Sequence, residues 1–194
     1  MGLGRVIVDR ETIRTMVRRL AAEIEDDLEL RRPRREAAAT PTGQGASAGG
    51  QAPVFIGVLK GCVYFFTDLT RHLDWPIEVD FIQVRSYGAS TTSSGSVTLV
   101  KDISIDVRDR DVYLVEDIVD TGYTLCDLVD LIRARHPRSV QVVALLSKPS
   151  RREIDVDVAF LGTEVDDLFV VGYGLDHAER YRNLPDIHEL VPEG

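Results

Sequence analysis

The sequence predicts an α/β fold, a mainly parallel, twisted sheet flanked by helices. Three observations predict it. The runs Val54–Leu59 (VFIGVL) and Val140–Leu146 (VQVVALL) are apolar almost throughout, as strands of a parallel sheet covered on both faces are. Segments of helical period alternate with strands, the order that builds a doubly wound sheet. Between residues 116 and 124 one strand-to-helix junction gathers acids, hydroxyls and a glycine, and ligands of such sheets bind beyond the carboxyl ends of the strands.

Taken in order, Ile13, Met16, Val17, Leu20, Ile24 and Leu28 recur at spacings of three and four, which predicts an amphipathic helix from Asp9 to Leu30. Residues 31–53 (RRPRREAAATPTGQGASAGGQAP) hold no aromatic or large aliphatic side chain and predict a flexible insertion. Its arginines form either a phosphate patch or, as the composition favours, part of a solvated segment. Val54–Leu59 is the first core strand, ended by Lys60-Gly61, and Cys62–Leu73 reads as a helix. Ile77–Val84 (IEVDFIQV) alternates as a strand does, whereas Ser86–Ser96 (SYGASTTSSGS) predicts a flexible flap. Val97–Val100 and Val112–Val115 are further strands, Tyr123–Arg135 a helix, and Val140–Leu146 another buried strand. No internal repeat is visible.

Composition narrows the function classes. A chain of 194 residues, 44% hydrophobic and 28% charged, fits one soluble globular domain spanning residues 1–194. The formal charge of −9 argues against broad nucleic-acid binding, which needs a basic face. Cys62 and Cys126 sit among apolar neighbours and read as buried thiols of a reducing compartment. The first ten residues lack the apolar run of a signal peptide, and no stretch reaches the ~18 apolar residues of a membrane span, so the expected location is the cytoplasm, with no membrane partner. Lysine occurs only at positions 60, 101 and 148 in an arginine-rich chain, which draws attention to those sites as places for a compact ammonium.

The segment DVYLVEDIVDTGYTLCDLVDLIRARH carries the chemistry. An apolar strand leads into Glu116 and Asp117, then Asp120-Thr121-Gly122-Tyr123-Thr124, then an amphipathic helix. Unpaired N–H groups at a helix N-terminus carry partial positive charge, so a turn of glycine and hydroxyl residues there can cradle a phosphate. Carboxylates accept two hydrogen bonds at once and suit the vicinal hydroxyls of a sugar, which points Glu116 and Asp117 at a ribose. The alternative is that Asp120 and Thr121 cap the helix and the two acids are solvated. The packing of so many acidic and hydroxyl positions into one turn favours the ligand reading. The turn is neither a Walker loop nor a GxGxxG motif.

VEDIVDTGYTL resembles the phosphoribosyl pyrophosphate signature of type I phosphoribosyltransferases, and its flanks resemble the hypoxanthine-guanine branch. The resemblance runs from Val54 to Leu190 through IGVLKGC, RSYGASTTSSG, ALLSKPSRRE and FVVGYGLDHAERYRNLPDI, while residues 31–53 depart from it as an insertion. It implies the type I fold with a small hood formed by terminal segments. It also implies transfer of hypoxanthine or guanine to phosphoribosyl pyrophosphate, giving IMP or GMP and pyrophosphate.

Roles follow by resemblance. Lys60 and Gly61 present backbone to pyrophosphate, often through an unusual peptide bond. Ser86 and Tyr87 match the flap that closes over it. Glu116 and Asp117 take the ribose, and Thr121, Gly122, Tyr123 and Thr124 the phosphate. Asp120 matches the general base at the purine's imidazole nitrogen, and Lys148 the donor to the 6-oxo group. Phe169 stacks on the base, with Val170 following. Asp176 belongs to the purine pocket and, with Glu116 and Asp117, to the magnesium site, where most ligands come from substrate oxygens and water. Arg182 binds the leaving group, and Arg152 contacts pyrophosphate or a neighbouring subunit. His177 stands where relatives carry an aromatic. The expected assembly is a homodimer or homotetramer. Two other readings stay open, a nucleotide-sensing RNA-binding regulator of the same fold and a transferase preferring xanthine or a pyrimidine.

Overall fold

The computed structural model describes residues 1–38, 51–85 and 98–192. Its main sheet contains, in chain order, β2 (Val54–Leu59), β3 (Glu78–Arg85), β4 (Thr98–Lys101), β5 (Asp111–Val119), β6 (Ser139–Ser147) and β7 (Phe160–Glu164). The spatial order is β4-β3-β2-β5-β6-β7, with every pairing parallel except β3 with β4. A second, antiparallel sheet joins the two ends of the chain: β1 (Gly2–Val8) pairs with β9 (Ile187–Val191), which pairs with β8 (Val170–Val171). This is the hood implied by resemblance.

The helices are α1 (Arg10–Ala38), α2 (Val63–Thr70) and α3 (Tyr123–Arg133). Every apolar residue of the α1 stripe, Ile13 to Leu28, is buried, and together with α2 the stripe covers one face of the main sheet. α3 covers the other face through Leu125, Leu128, Val129 and Ile132. At the sheet centre the rings of Phe55 and Tyr113 stack 4.6 Å apart, and the Tyr113 hydroxyl donates to Asp27 of α1 at 2.6 Å.

Four elements differ from the expectation. α1 does not stop at Leu30: Arg31 pairs with Asp27 at 2.6 Å one turn back, and the helical backbone continues past Pro33 to Ala38, with Arg, Glu and Ala on either side of the proline favouring the helix. Residues 39–50 of the expected insertion, and Val97 with the whole expected flap 86–96, lie outside the described residues. β5 continues through Glu116 and Asp117 to Val119, because β6 pairs beside it as far as Ser147. In β3 the alternation is inverted: Asp80 is buried and Val79 exposed, since Lys101 Nζ, the Ser104 hydroxyl and main-chain N–H groups satisfy the Asp80 carboxylate. Burial alone would push that carboxyl up, but these bonds hold it well below the usual carboxylate range. β1 was not legible because it has no alternation; it forms only where β9 offers an edge.

The order reverses at β2. Its successor β3 lies on one side and β5 on the other, so the carboxyl ends of β2 and β5 open a crevice at the topological switch point. Lys60 and Gly61 leave β2 there, and the residue 116–124 segment leaves β5.

Candidate active site

Glu116, Ile118, Val119, Asp120, Thr121, Gly122, Thr124 and Leu125 line a cavity of about 210 Å³ at this point. Gly122 is the N-cap of α3 with φ +97°, and a Cβ there would lie 2.4 Å from the Ile154 carbonyl oxygen. No side chain caps the helix, so the capping alternative for Asp120 and Thr121 fails and the N–H donors of its first turn remain for an anion. The loop is held from below, where Glu153 and Ile154 donate their N–H groups to the Thr121 carbonyl at 3.0 and 3.1 Å. Tyr123 is exposed at the helix start. A larger cavity of about 730 Å³ lies between β1, α1 and β7, and none of the expected site residues lines it.

Beside the cradle, Glu116 is half-buried and Asp117 buried. Burial pushes the Glu116 carboxyl well up, and the adjacent Asp117 carboxyl adds to the effect. Asp117 is raised by burial too, although the Ile118 N–H and the Arg182 guanidinium oppose the rise. An acidic pair held this way favours cations and hydroxyl donors. The neighbouring Cys62 thiol is buried, and burial and these two acids push it far above its ordinary range.

Gly61 fits against this pair because it has no side chain. A Cβ would lie 1.5 Å from Asp117 Oδ2. On its other side comes Gly174, at φ +102°, whose own Cβ would lie 1.9 Å from the Gly61 carbonyl oxygen. The loop from the hood thus docks directly on the Lys60-Gly61 turn. The non-proline cis bond in this turn is Leu59–Lys60, one residue before the Lys60-Gly61 pair to which the expectation pointed.

The charged groups form two networks. Lys60 Nζ meets Glu179 Oε2 at 3.0 Å. Arg182 meets the same Oε2 at 3.3 Å, Asp176 Oδ1 at 2.8 Å and the Gly174 carbonyl at 2.8 Å. Asp176 Oδ2 also accepts the Glu179 N–H. In the second network Asp120 Oδ1 accepts Arg151 Nε at 3.0 Å, and Asp167 stands 3.7 Å from the same nitrogen. Arg151 ends a 3₁₀ turn, Pro149–Arg151, which starts from Lys148 at the end of β6.

Lys148 is buried, its N–H bonded to the Val119 carbonyl at 2.9 Å, and its ammonium makes no hydrogen bond among the described residues. Arg152 turns inward, with Nη2 donating to Ser147 Oγ at 2.8 Å and Nη1 buried with no hydrogen-bond partner among the described residues. Phe169 stands half exposed and edge-to-face with His177, whereas the Val170 side chain is part of the core and offers a ligand only its main chain. Ser86 and Tyr87 lie outside the described residues.

Sequence reasoning missed Arg151, Glu179 and Gly174. The available signals were the second arginine of SKPSRRE, the Glu179/Arg182 spacing of three, and the paired glycines of VGYG.

Comparison with known proteins agrees with this geometry. A family model described as the phosphoribosyl transferase domain matches residues 11–178. The chain is 44% identical over 190 residues to the hypoxanthine-guanine phosphoribosyltransferase of Bacillus subtilis, covering 98% of this chain and 94% of that one. It is also 44% identical over 187 residues to the enzyme of that name from Mycobacterium avium, covering 96% and 85%. The solved hypoxanthine-guanine phosphoribosyltransferase of Bacillus anthracis superimposes with a TM-score of 0.83 at 36% identity, covering 98% of this chain and all of that one. The chain therefore belongs to the phosphoribosyltransferase family, within its hypoxanthine-guanine branch.

Proposed function

We propose that this protein joins hypoxanthine or guanine to phosphoribosyl pyrophosphate, releasing pyrophosphate and forming IMP or GMP in purine salvage. One observation carries the reading: the uncapped phosphate cradle at the start of α3 and the unpartnered Lys148 ammonium leave adjacent strands of the sheet, β5 and β6, on either side of Asp120. The near full-length identity to enzymes named for this activity supports it.

In this reading Thr121 to Thr124 hold the 5′-phosphate, and Glu116 and Asp117 hold the ribose hydroxyls, whose donated protons suit carboxyls that burial has raised. Lys148 donates to the 6-oxo group and sits badly against the amino group of adenine, which sets the purine class. Phe169 and the Val170 main chain take the face and edge of the base. Asp120 accepts the imidazole proton as the glycosidic bond forms, while nearby carboxylates stabilise an oxocarbenium-like transition state. Lys60, the Gly61 main chain, Arg182 and Arg152 receive pyrophosphate, with Ser86 and Tyr87 closing over it. Lys60 and Arg182 must then exchange Glu179 for the incoming anion.

Among the described residues no three His, Cys, Asp or Glu side chains converge as a metal cage. The raised Glu116 and Asp117 carboxyls and Asp176 fit the alternative, a magnesium ion bound mostly through substrate oxygens. Magnesium supplies charge that offsets the leaving group. The protein works in the cytoplasm, a reading supported by the two free cysteines. It assembles as a homodimer or homotetramer; exposed Leu3 and Val6 on β1, an edge strand, support self-association.

The deciding experiment is turnover with phosphoribosyl pyrophosphate, magnesium and each of hypoxanthine, guanine and xanthine. Nucleotide forms with the first two, and Lys148→Ala abolishes the preference for a 6-oxopurine over adenine. No product from any 6-oxopurine would sink the proposal. Sedimentation of the purified chain tests the assembly.

A further inference from the structure

We propose that His177 is a positioning residue for the purine: its ring braces Phe169 edge-to-face and so sets the plane on which the base stacks. The inference rests on the reading of Phe169 as the stacking aromatic. Phe169 immediately precedes β8, and its main chain is tied down because its carbonyl accepts the Leu190 N–H at 2.7 Å. Phe169 is 52% exposed, and at that exposure several rotamers are open to a phenyl side chain unless a neighbour selects one. Among the described residues the one aromatic ring beside it is His177, at a centroid distance of 5.4 Å and an interplanar angle of 88°. That is the perpendicular geometry which aromatic pairs favour.

The imidazole is delivered there by a turn with little freedom of its own. Gly172 and Gly174 adopt φ values of +105° and +102°, and a Cβ on either would run into main-chain carbonyl oxygens, of Asp186 at 2.1 Å and of Gly61 at 1.9 Å. His177 is then locked to Arg180 by reciprocal N–H to carbonyl bonds of 3.2 and 3.0 Å. Its ring nitrogens make no hydrogen bond or ion pair among the described residues, so contact with Phe169 is what this side chain contributes. A stacking ring held in one orientation loses less conformational freedom when a base arrives, which strengthens base binding. The 5′-phosphate cradle lies on β5 and α3, apart from this pair, and the His177 ring makes no bond to the Lys60, Asp176, Glu179 and Arg182 network among the described residues. Loss of the ring alone therefore leaves the groups proposed for phosphoribosyl pyrophosphate in place.

Steady-state kinetics with each substrate varied in turn tests the inference. His177→Ala is expected to raise KM for hypoxanthine and guanine about three- to ten-fold, the worth of one aromatic pair, with kcat and KM for phosphoribosyl pyrophosphate unchanged. His177→Leu keeps the bulk without the ring and guards against a packing artefact; it behaves like the alanine variant. His177→Phe restores the wild-type value. In a Phe169→Ala background His177→Ala has no further effect, because its partner is gone. An unchanged base KM in His177→Ala, or losses that multiply in the double variant, overturns this inference alone. Absence of 6-oxopurine turnover in the wild type overturns the functional reading and this inference with it.

Discussion

Asp120 lines the cavity, half exposed, and gives one oxygen to Arg151. A carboxylate so placed can accept a proton through its other oxygen without leaving its partner. Replacing it with asparagine keeps the shape and the pairing but removes the base. Asp120→Asn is expected to lower kcat about 10²-fold or more while both KM values stay near wild type, as measured by steady-state kinetics. Gly61 shows the opposite kind of dependence, on an absent group. Its Cα is packed so closely on Asp117 that Gly61→Ala must displace the carboxylate or the turn. The expected result is a large rise in KM for phosphoribosyl pyrophosphate and a loss of about 1–3 kcal/mol in urea unfolding, the cost of overpacking.

The end of β5 holds Glu116 and Asp117 side by side in strand geometry, where burial disfavours both charges and the Asp117 carboxylate further disfavours that of Glu116. A folded carboxyl raised above its unfolded value contributes stability that is full below the ordinary carboxylate range and lost as pH rises through the raised value. At neutral pH the two raised carboxyls therefore cost stability, a cost that the proposed ribose-binding role would account for. Glu116→Gln, which has no charge to desolvate, is expected to be more stable than wild type by about 1 kcal/mol near pH 7 and to lose that advantage below pH ~4. It should bind phosphoribosyl pyrophosphate less tightly. Thermal melts across pH, beside KM for that substrate, measure both effects.

At the scale of the whole molecule, the hood and the main sheet meet where α1 begins. Asp9 caps the helix through the Glu11 and Thr12 N–H groups, and Asp186, from the segment entering β9, accepts the Arg10 N–H and both Nε and Nη2 of its side chain. Hydrogen bonds from Arg10 bring the Asp186 carboxyl down to about 2. A depressed carboxyl contributes stability that is present above its unfolded value, near pH ~4, and lost as pH falls. The loss is complete only once pH has passed through about 2. Asp186→Asn is accordingly expected to be less stable than wild type at pH 5, with the difference in urea midpoint closing as pH falls toward about 2. A difference that persists at low pH would remove Arg10 and Asp186 from this role.

Much of this architecture was legible in the chain. The apolar runs of β2 and β6, the stripe of α1 and the acid-and-hydroxyl turn before α3 are local signals, because period, burial on both faces and capping chemistry depend on residues close in sequence. Lys148, Phe169 and Asp176 were legible only by resemblance, since their roles depend on segments far from the turn. What no local signal carries is pairing at a distance: β1 waits for β9, Asp80 is buried because Lys101 and Ser104 reach it, and Arg151 finds Asp120 only after β5 and β6 lie side by side. Periodicity and turn chemistry in the chain were enough for the α/β class and for the acid-and-hydroxyl turn that opens α3. The tertiary structure alone decided which charges neutralise one another, that Gly61 and Gly174 touch, and that His177 meets Phe169, because close approach of backbones and rings is a property of packed elements and not of any one of them.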